Sequence, residues 1–200
     1  MIKAVIFDWG GVLIDNPASG LIAYCAKTLG SSDKEFSKVY QKFESVFHRG
    51  TISEDKFWEM VCSELNIQKP DRQSLWGDAF RKVYSPKKEM FSLASSLHNN
   101  GYKIGLLSNT EIPAMKYFYE QGYNMFDVLI FSCIEGIRKP EKRIYELTLE
   151  RLDLRPEEVI FIDDKEEYIN GAKIVGINTI LFKSPDQIKK ELSLFSIKTD

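Results

Sequence analysis

At 200 residues the chain is long enough to bury one sizeable core, or a core with a smaller insertion. Hydrophobic residues at 44% and charged residues at 28% match ordinary globular usage, which sets aside disordered and fibrous classes. The 27 basic and 29 acidic residues leave a net charge of −2 with no long run of one sign, so no nucleic-acid surface is indicated.

The first predicted element is a buried strand, Ala4 to Phe7, rich in β-branched and aromatic residues and ended by Asp8 and the pair Gly10-Gly11. Asp8 therefore sits at the carboxyl end of a strand, where α/β sheets bind ligands. Taken alone, an Asp before two glycines is as well explained by turn geometry.

From about Pro17 to Lys88 the pattern is helical. Leu21 to Leu29 is spaced as a helix and stops at Gly30. Ser32 or Asp33 caps a second helix carrying Phe36, Val39, Tyr40, Phe43, Val46 and Phe47, ended by Gly50. A third starts at Ser53-Glu54-Asp55-Lys56 and presents Phe57, Met60, Val61 and Leu65, and a fourth is expected from about Arg72 to Tyr84. Four helices inserted after the first strand suggest a small bundle, with Phe43, Phe47, Trp58 and Trp76 in its core.

Beyond Met90 strands and helices alternate. Helix Met90 to Asn99 ends at Gly101 in a left-handed cap, and strand Lys103 to Leu107 closes on Ser108-Asn109-Thr110. Helix Pro113 to Gln121 leads to strand Asp127 to Phe131, and helix Glu141 to Leu152 leads to strand Val159 to Ile162, which closes on Asp163-Asp164. Helix Glu167 to Val175 and strand Asn178 to Phe182 complete the series. Short apolar strands separated by helices predict an α/β fold, a Rossmann-like parallel sheet flanked by helices. The core would comprise residues 1–15 and 89–200, with a helical cap over 16–88.

Cys25, Cys62 and Cys133 form no C-x-x-C or zinc spacing and read as reduced, buried thiols. The amino-terminal apolar run is broken by Asp8, unlike the apolar region of a signal peptide, and no stretch approaches the roughly 20 apolar residues that span a bilayer. The expectation is a cytoplasmic protein with no membrane partner, as a monomer or a homodimer.

In a parallel sheet the strand ends share one edge, which would gather Asp8, Ser108-Asn109-Thr110, the Arg138-Lys139-Pro140 turn and Asp163-Asp164. That inventory suits phosphoryl transfer: a nucleophile, donors for phosphate oxygens, a cation, and oxygen ligands for Mg²⁺. Asp8-x-Gly-Gly-Val-Leu, then Leu-Ser108-Asn109-Thr110, Glu135-Gly136-x-x-Lys139-Pro140 and Phe-Ile-Asp163-Asp164, in that order, resemble the haloacid dehalogenase superfamily over nearly the whole chain.

The resemblance implies that Asp8 becomes a phospho-aspartate and that the Gly10 carbonyl, with Asp8, Asp163 and Asp164, serves Mg²⁺. It also implies that Ser108 and the amides of Asn109, Trp9 and Gly10 hold phosphate, while Lys139 balances charge. Phosphatases of the superfamily usually carry a second Asp where Gly10 stands, which works as general acid and base. Its loss is worth about 10²–10⁴ in rate, and a proton relay through water held by Asp163, Asp164 or a cap residue would be the remedy. The sequence resembles helical-capped members with Asp-x-Gly, some of which are similar to sugar-1-phosphate phosphatases.

Three functions are therefore set side by side. The first is a Mg²⁺-dependent phosphatase of a small phosphorylated metabolite, a sugar phosphate among the candidates. The second is an impaired member binding a phosphorylated ligand or a protein partner, and the third is a 2-haloacid dehalogenase, against which the paired Asp163-Asp164 speaks. Trp9 either shapes the pocket or packs under the cap, Asn170 tethers a loop, and His48 and His98 read as isolated surface or helix-end residues.

Overall fold

The computed structural model describes residues 1–199. Five parallel strands, β1 (Ala4–Phe7), β2 (Lys103–Ser108), β3 (Val128–Phe131), β4 (Val159–Asp163) and β5 (Asn178–Leu181), form one sheet in the order β3-β2-β1-β4-β5. The first strand is central. Alternate side chains along it serve two faces: Val5 and Phe7 belong to one apolar cluster, Ala4 and Ile6 to another, and all four are fully buried. Burial on both faces is why the strands read as unbroken apolar runs.

Helices α8 (Lys142–Leu152) and α9 (Glu166–Val175) cover the Ala4/Ile6 face through Ile144, Leu149, Ile169 and Ala172. On the Val5/Phe7 face lie α5 (Lys88–Asn99), with Met90, Leu93 and Leu97, and α6 (Ile112–Glu120), with Ala114 and Phe118. Two α-helices escape the sequence reading. Residues Ser132–Glu135 form α7, a single turn too short to show a period, and Pro185–Leu194 form α10, whose Ile188 and Leu192 join the same core.

The inserted helices are α1 (Ala18–Leu29), α2 (Asp33–His48), α3 (Glu54–Leu65) and α4 (Leu75–Val83). Their ends follow their caps: Ser32 and Glu35 close a reciprocal capping box on α2, and Ser53 accepts from the Lys56 amide at the start of α3. The fourth helix starts at Leu75 rather than Arg72, because Ser74 is its cap. Glu54 then ties α3 to α4, accepting from Trp58 Nε1 (3.0 Å), Ser74 Oγ (2.6 Å) and the Trp76 amide (2.7 Å). Phe47, Trp58 and Trp76 are core residues as expected, and Phe43 is half-buried against them.

The chain leaves the sheet for these helices and returns to it through adjacent segments. Asp15 N donates to the Ser85 carbonyl and Lys87 N to the Leu13 carbonyl, each at 2.9 Å. Farther off, Arg49 makes a paired contact with Glu141 (2.7 and 3.1 Å) and donates to the Gly136 carbonyl (3.0 Å), tying the end of α2 to the loop that carries Lys139. Cys25, Cys62 and Cys133 are free and buried. Among the described residues no helix is long and apolar enough to cross a membrane.

Candidate active site

Register brings the two acidic strand ends together. Phe7 pairs with Ile162, and Asp8 N donates to the Ile162 carbonyl at 2.9 Å, so Asp8 and Asp163 emerge side by side at the carboxyl edge. Phe7 also pairs with Leu106, which sets Ser108 on the other flank. The expected juxtaposition is present: Lys139 Nζ donates to Asp8 Oδ1 (2.8 Å) and to Asp163 Oδ2 (2.6 Å).

Lys139 is fully buried, as is Asp163, and Asp8 is 6% exposed. An ammonium without water is tolerated only because two carboxylates receive it and the Tyr168 and Phe161 rings lie 4.9 and 5.3 Å away. Burial opposes the charge of Lys139, yet Asp163 and Asp8 more than offset it and hold the ammonium above its ordinary pKa. Burial pushes Asp8 up to about 7 against the pull of Lys139, with Asp163 and Asp164 adding to the rise.

Asn109 positions that lysine. Its Oδ1 accepts from Lys139 N and its Nδ2 donates to the Lys139 carbonyl, both at 2.9 Å, and Nδ2 also reaches the Tyr168 hydroxyl at 3.2 Å. The family resemblance implied only a phosphate-binding amide for Asn109, whereas the side chain clamps the backbone of a residue 30 positions away.

Oxygens of Asp8, Asp163 and Asp164 lie within 4.8 Å of one another. Both Asp163 oxygens have protein donors, Oδ2 from Lys139 and Oδ1 from the Lys165 amide (2.9 Å), whereas Asp164 Oδ1 is buried with no hydrogen-bond partner. An orphaned carboxylate oxygen beside two further carboxylates fits a hard divalent cation. Gly11 makes room for this arrangement: at φ +98°, a Cβ there would lie 2.3 Å from Asp164 Oδ2.

The edge opens into a cavity of about 290 Å³ between sheet and inserted helices. Asp8, Trp9, Gly10, Ser108, Asn109 and Lys139 form its floor. One wall is apolar, from Ile14, Pro17 and the α1 residues Leu21 and Ile22; the other is the polar face of α2, with Ser37, Tyr40, Gln41, Glu44 and His48. Trp9 both packs and lines: its ring meets Phe80 (4.9 Å) and Phe118 (5.3 Å), and its buried indole nitrogen has no hydrogen-bond partner. Asn170 is exposed on α9.

His48 requires a correction. It ends α2 as expected, but it is not an isolated surface residue: its side chain is 12% exposed, lines the cavity and donates from Nε2 to Glu111 Oε1 at 2.8 Å. Glu111 was missed altogether. No local spacing links positions 48 and 111, which only the folding of α2 over the β2 edge brings together. His98, at 40% exposure on α5, is the surface residue the sequence suggested.

A buried nucleophile candidate, an ammonium shared between two carboxylates and a third carboxylate with one partnerless oxygen define a hydrolase built on a Rossmann-like sheet. The chain belongs to the haloacid dehalogenase-like hydrolase family, whose model matches residues 2–176. It is similar to the sesquiterpene phosphatase astK of Aspergillus oryzae, 31% identical over 88% of this chain and 87% of that one. It is also 30% identical, over 95% of its length, to acyl-CoA dehydrogenase family member 10 of Mus musculus, but spans only 19% of that protein. A haloacid dehalogenase-family enzyme of Bacteroides thetaiotaomicron, solved as a magnesium complex, matches with TM-score 0.74 and 25% identity over 91% of this chain and 93% of that one.

Proposed function

We propose that the protein is a Mg²⁺-dependent phosphatase that hydrolyses a small phosphorylated metabolite through a phospho-aspartate on Asp8. The observation that carries this reading is the Lys139 ammonium held between Asp8 and Asp163, 2.8 and 2.6 Å away, beside the partnerless oxygen of Asp164. Asp8, Asp164 and the Gly10 carbonyl would hold the metal, with Asp163 orienting Lys139 and completing the acidic set. When bound, Mg²⁺ supplies positive charge against the phosphoryl oxygens.

In this reading one Asp8 oxygen attacks phosphorus while Lys139 holds the other against the phosphate charge. Ser108 and the amides of Trp9, Gly10 and Asn109 donate to the phosphoryl oxygens, which spread the developing charge. Water then attacks the phospho-aspartate and frees Asp8. The leaving group lies between the apolar α1 wall and the polar α2 wall, which suits a compact alcohol with both carbon and hydroxyl surface, a sugar phosphate among the candidates. Relatives that include a sesquiterpene phosphatase and a magnesium-bound family member support phosphate esters as the substrate class.

Phosphate release from a panel of monoesters, with Mg²⁺ and with EDTA, tests this. Asp8→Asn should lower turnover at least about 10³-fold, since the nucleophile is removed. Release that persists in Asp8→Asn, or that ignores EDTA, sinks the proposal.

A further inference from the structure

The phosphatase reading leaves one task without an owner. A monoester with a poor leaving group needs a proton on the departing oxygen, and position 10, where a second carboxylate could stand, is a glycine whose Cβ would lie 3.3 Å from Pro17 Cδ. We propose that His48, oriented by Glu111, is the proton-transfer group for the leaving oxygen and for the attacking water.

Both residues belong to the cavity that holds Asp8 and Ser108. Glu111 follows Ser108 by three positions on the same strand end and is 4% exposed, so a carboxylate is planted in the wall directly beyond the phosphate floor. His48 Nε2 meets its Oε1 at 2.8 Å, and the Tyr40 hydroxyl donates to the same oxygen at 3.3 Å. The main chain is fixed as well. Ser132 Oγ donates to the His48 carbonyl (2.6 Å) and accepts from the Thr110 amide (2.9 Å), binding the end of α2 to the residue just before Glu111.

A carboxylate that takes the hydrogen of one imidazole nitrogen leaves the other as the exchanging atom. Here that atom is Nδ1, which is buried and has no hydrogen-bond partner; Glu44 Oε1 stands 3.6 Å away. Glu111 remains an anion able to hold the ring. Burial raises its pKa, but His48, through charge and hydrogen bond, outweighs that and keeps it below the usual carboxylate range. The groups facing the ring are Tyr40 and Glu44 from its own helix and Glu111 from the β2 edge, with Arg138 near Tyr40 and the Cys25 and Cys133 thiols near Glu111.

The step balances. As the bond from Asp8 oxygen to phosphorus forms, the bond from phosphorus to the leaving oxygen breaks, and that oxygen takes the proton of His48 Nδ1. Water then attacks phosphorus, the Asp8–phosphorus bond breaks, and the water proton passes to Nδ1. The ring returns to its starting state, with alcohol and phosphate as products. His48 is the catalytic residue here, and Glu111 a positioning residue.

This inference rests on the phosphatase reading, and substituted phenyl phosphates separate the two. Wild-type enzyme should show a shallow fall of log(kcat/KM) as the leaving phenol becomes more basic. His48→Gln should steepen it: about fivefold or less is lost on 4-nitrophenyl phosphate, and about 100-fold on phenyl phosphate, where proton transfer counts. Glu111→Gln should steepen it less, with the loss falling on kcat rather than on KM; it carries the test where His48→Gln fails to fold. Equal losses on every ester in both variants, or unchanged slopes, overturn the proposal and leave the pair a latch between helix and sheet. If Asp8→Asn is dead while the slopes stay flat, only this inference falls; activity in Asp8→Asn removes the phosphatase reading itself.

Discussion

Lys139→Met is the most informative perturbation of the site, because it removes the charge and keeps the length of the stem. In the folded protein Lys139 and Asp163 are fully buried and Asp8 is 6% exposed, so the variant leaves two carboxylates facing each other without water or counter-ion. Removing one member of a buried ionic group typically costs about 3–5 kcal/mol. The loss should depend on pH in a defined direction. Asp8 is already raised to about 7 by burial with Lys139 present, and losing the lysine takes away its lowering influences, so the variant's Asp8 titrates higher still. Well below that value Asp8 is protonated in both folded proteins and contributes no difference between them. Above it the wild type ionises and the variant does not follow, at about 1.4 kcal/mol per unit of separation. Urea unfolding in EDTA should therefore give a deficit of about 3–5 kcal/mol at pH 8.5, smaller by about 1–2 kcal/mol at pH 5.5. A deficit below about 1 kcal/mol at both values, or one that grows on acidification, would refute the picture of a shared, charge-compensating ammonium.

Two further outcomes concern the divalent site. Mg²⁺ should raise the melting temperature of the wild type, by about 2.7 kcal/mol of stabilisation at a hundredfold excess over Kd; Asp164→Asn should abolish most of that shift, and a full shift in the variant would show that Asp164 is not a ligand. Gly11→Ala should lose at least about 1–2 kcal/mol, because φ of +98° and a Cβ 2.3 Å from Asp164 Oδ2 are both intolerable to alanine. The same variant should weaken the Mg²⁺-induced melting shift by displacing Asp164. Unchanged melting curves with and without the ion would show that the loop accommodates the methyl group elsewhere.

How much of this was legible follows the range over which each signal acts. The strands were, because β1, β2 and β4 are runs of fully buried apolar residues cut off by polar ones, and a parallel sheet then forces their ends to one edge. That is why Asp8, Lys139 and Asp163 could be grouped before any distance was known. The α10 helix was readable too and was passed over: Ser184 accepts from the Gln187 amide, Pro185 opens the helix, and Ile188 and Leu192 stand four apart. What no window could reveal are side chains that act at long range. Asn109 spends its amide on the backbone of Lys139, Glu54 gathers three donors from α3 and the α4 start, and His48 meets a carboxylate 63 positions on.

Those three cases share a physical cause that bears on the chemistry. Each is a polar group withdrawn from water, and a withdrawn polar group must find a partner wherever the fold supplies one. Along the carboxyl edge of the sheet nearly every such group does: Lys139 has two acceptors, Asp163 has two donors, and Asn109 is used at both ends. Against that background the atoms left over carry information. Asp164 Oδ1, Trp9 Nε1, Trp76 Nε1 and His48 Nδ1 are all buried, all belong to residues of the acidic cluster or the cavity wall, and all lack a hydrogen-bond partner. A fold that satisfies its neighbours so completely leaves such atoms for what enters the cavity, which is why the metal is proposed for the first and the departing oxygen's proton for the last.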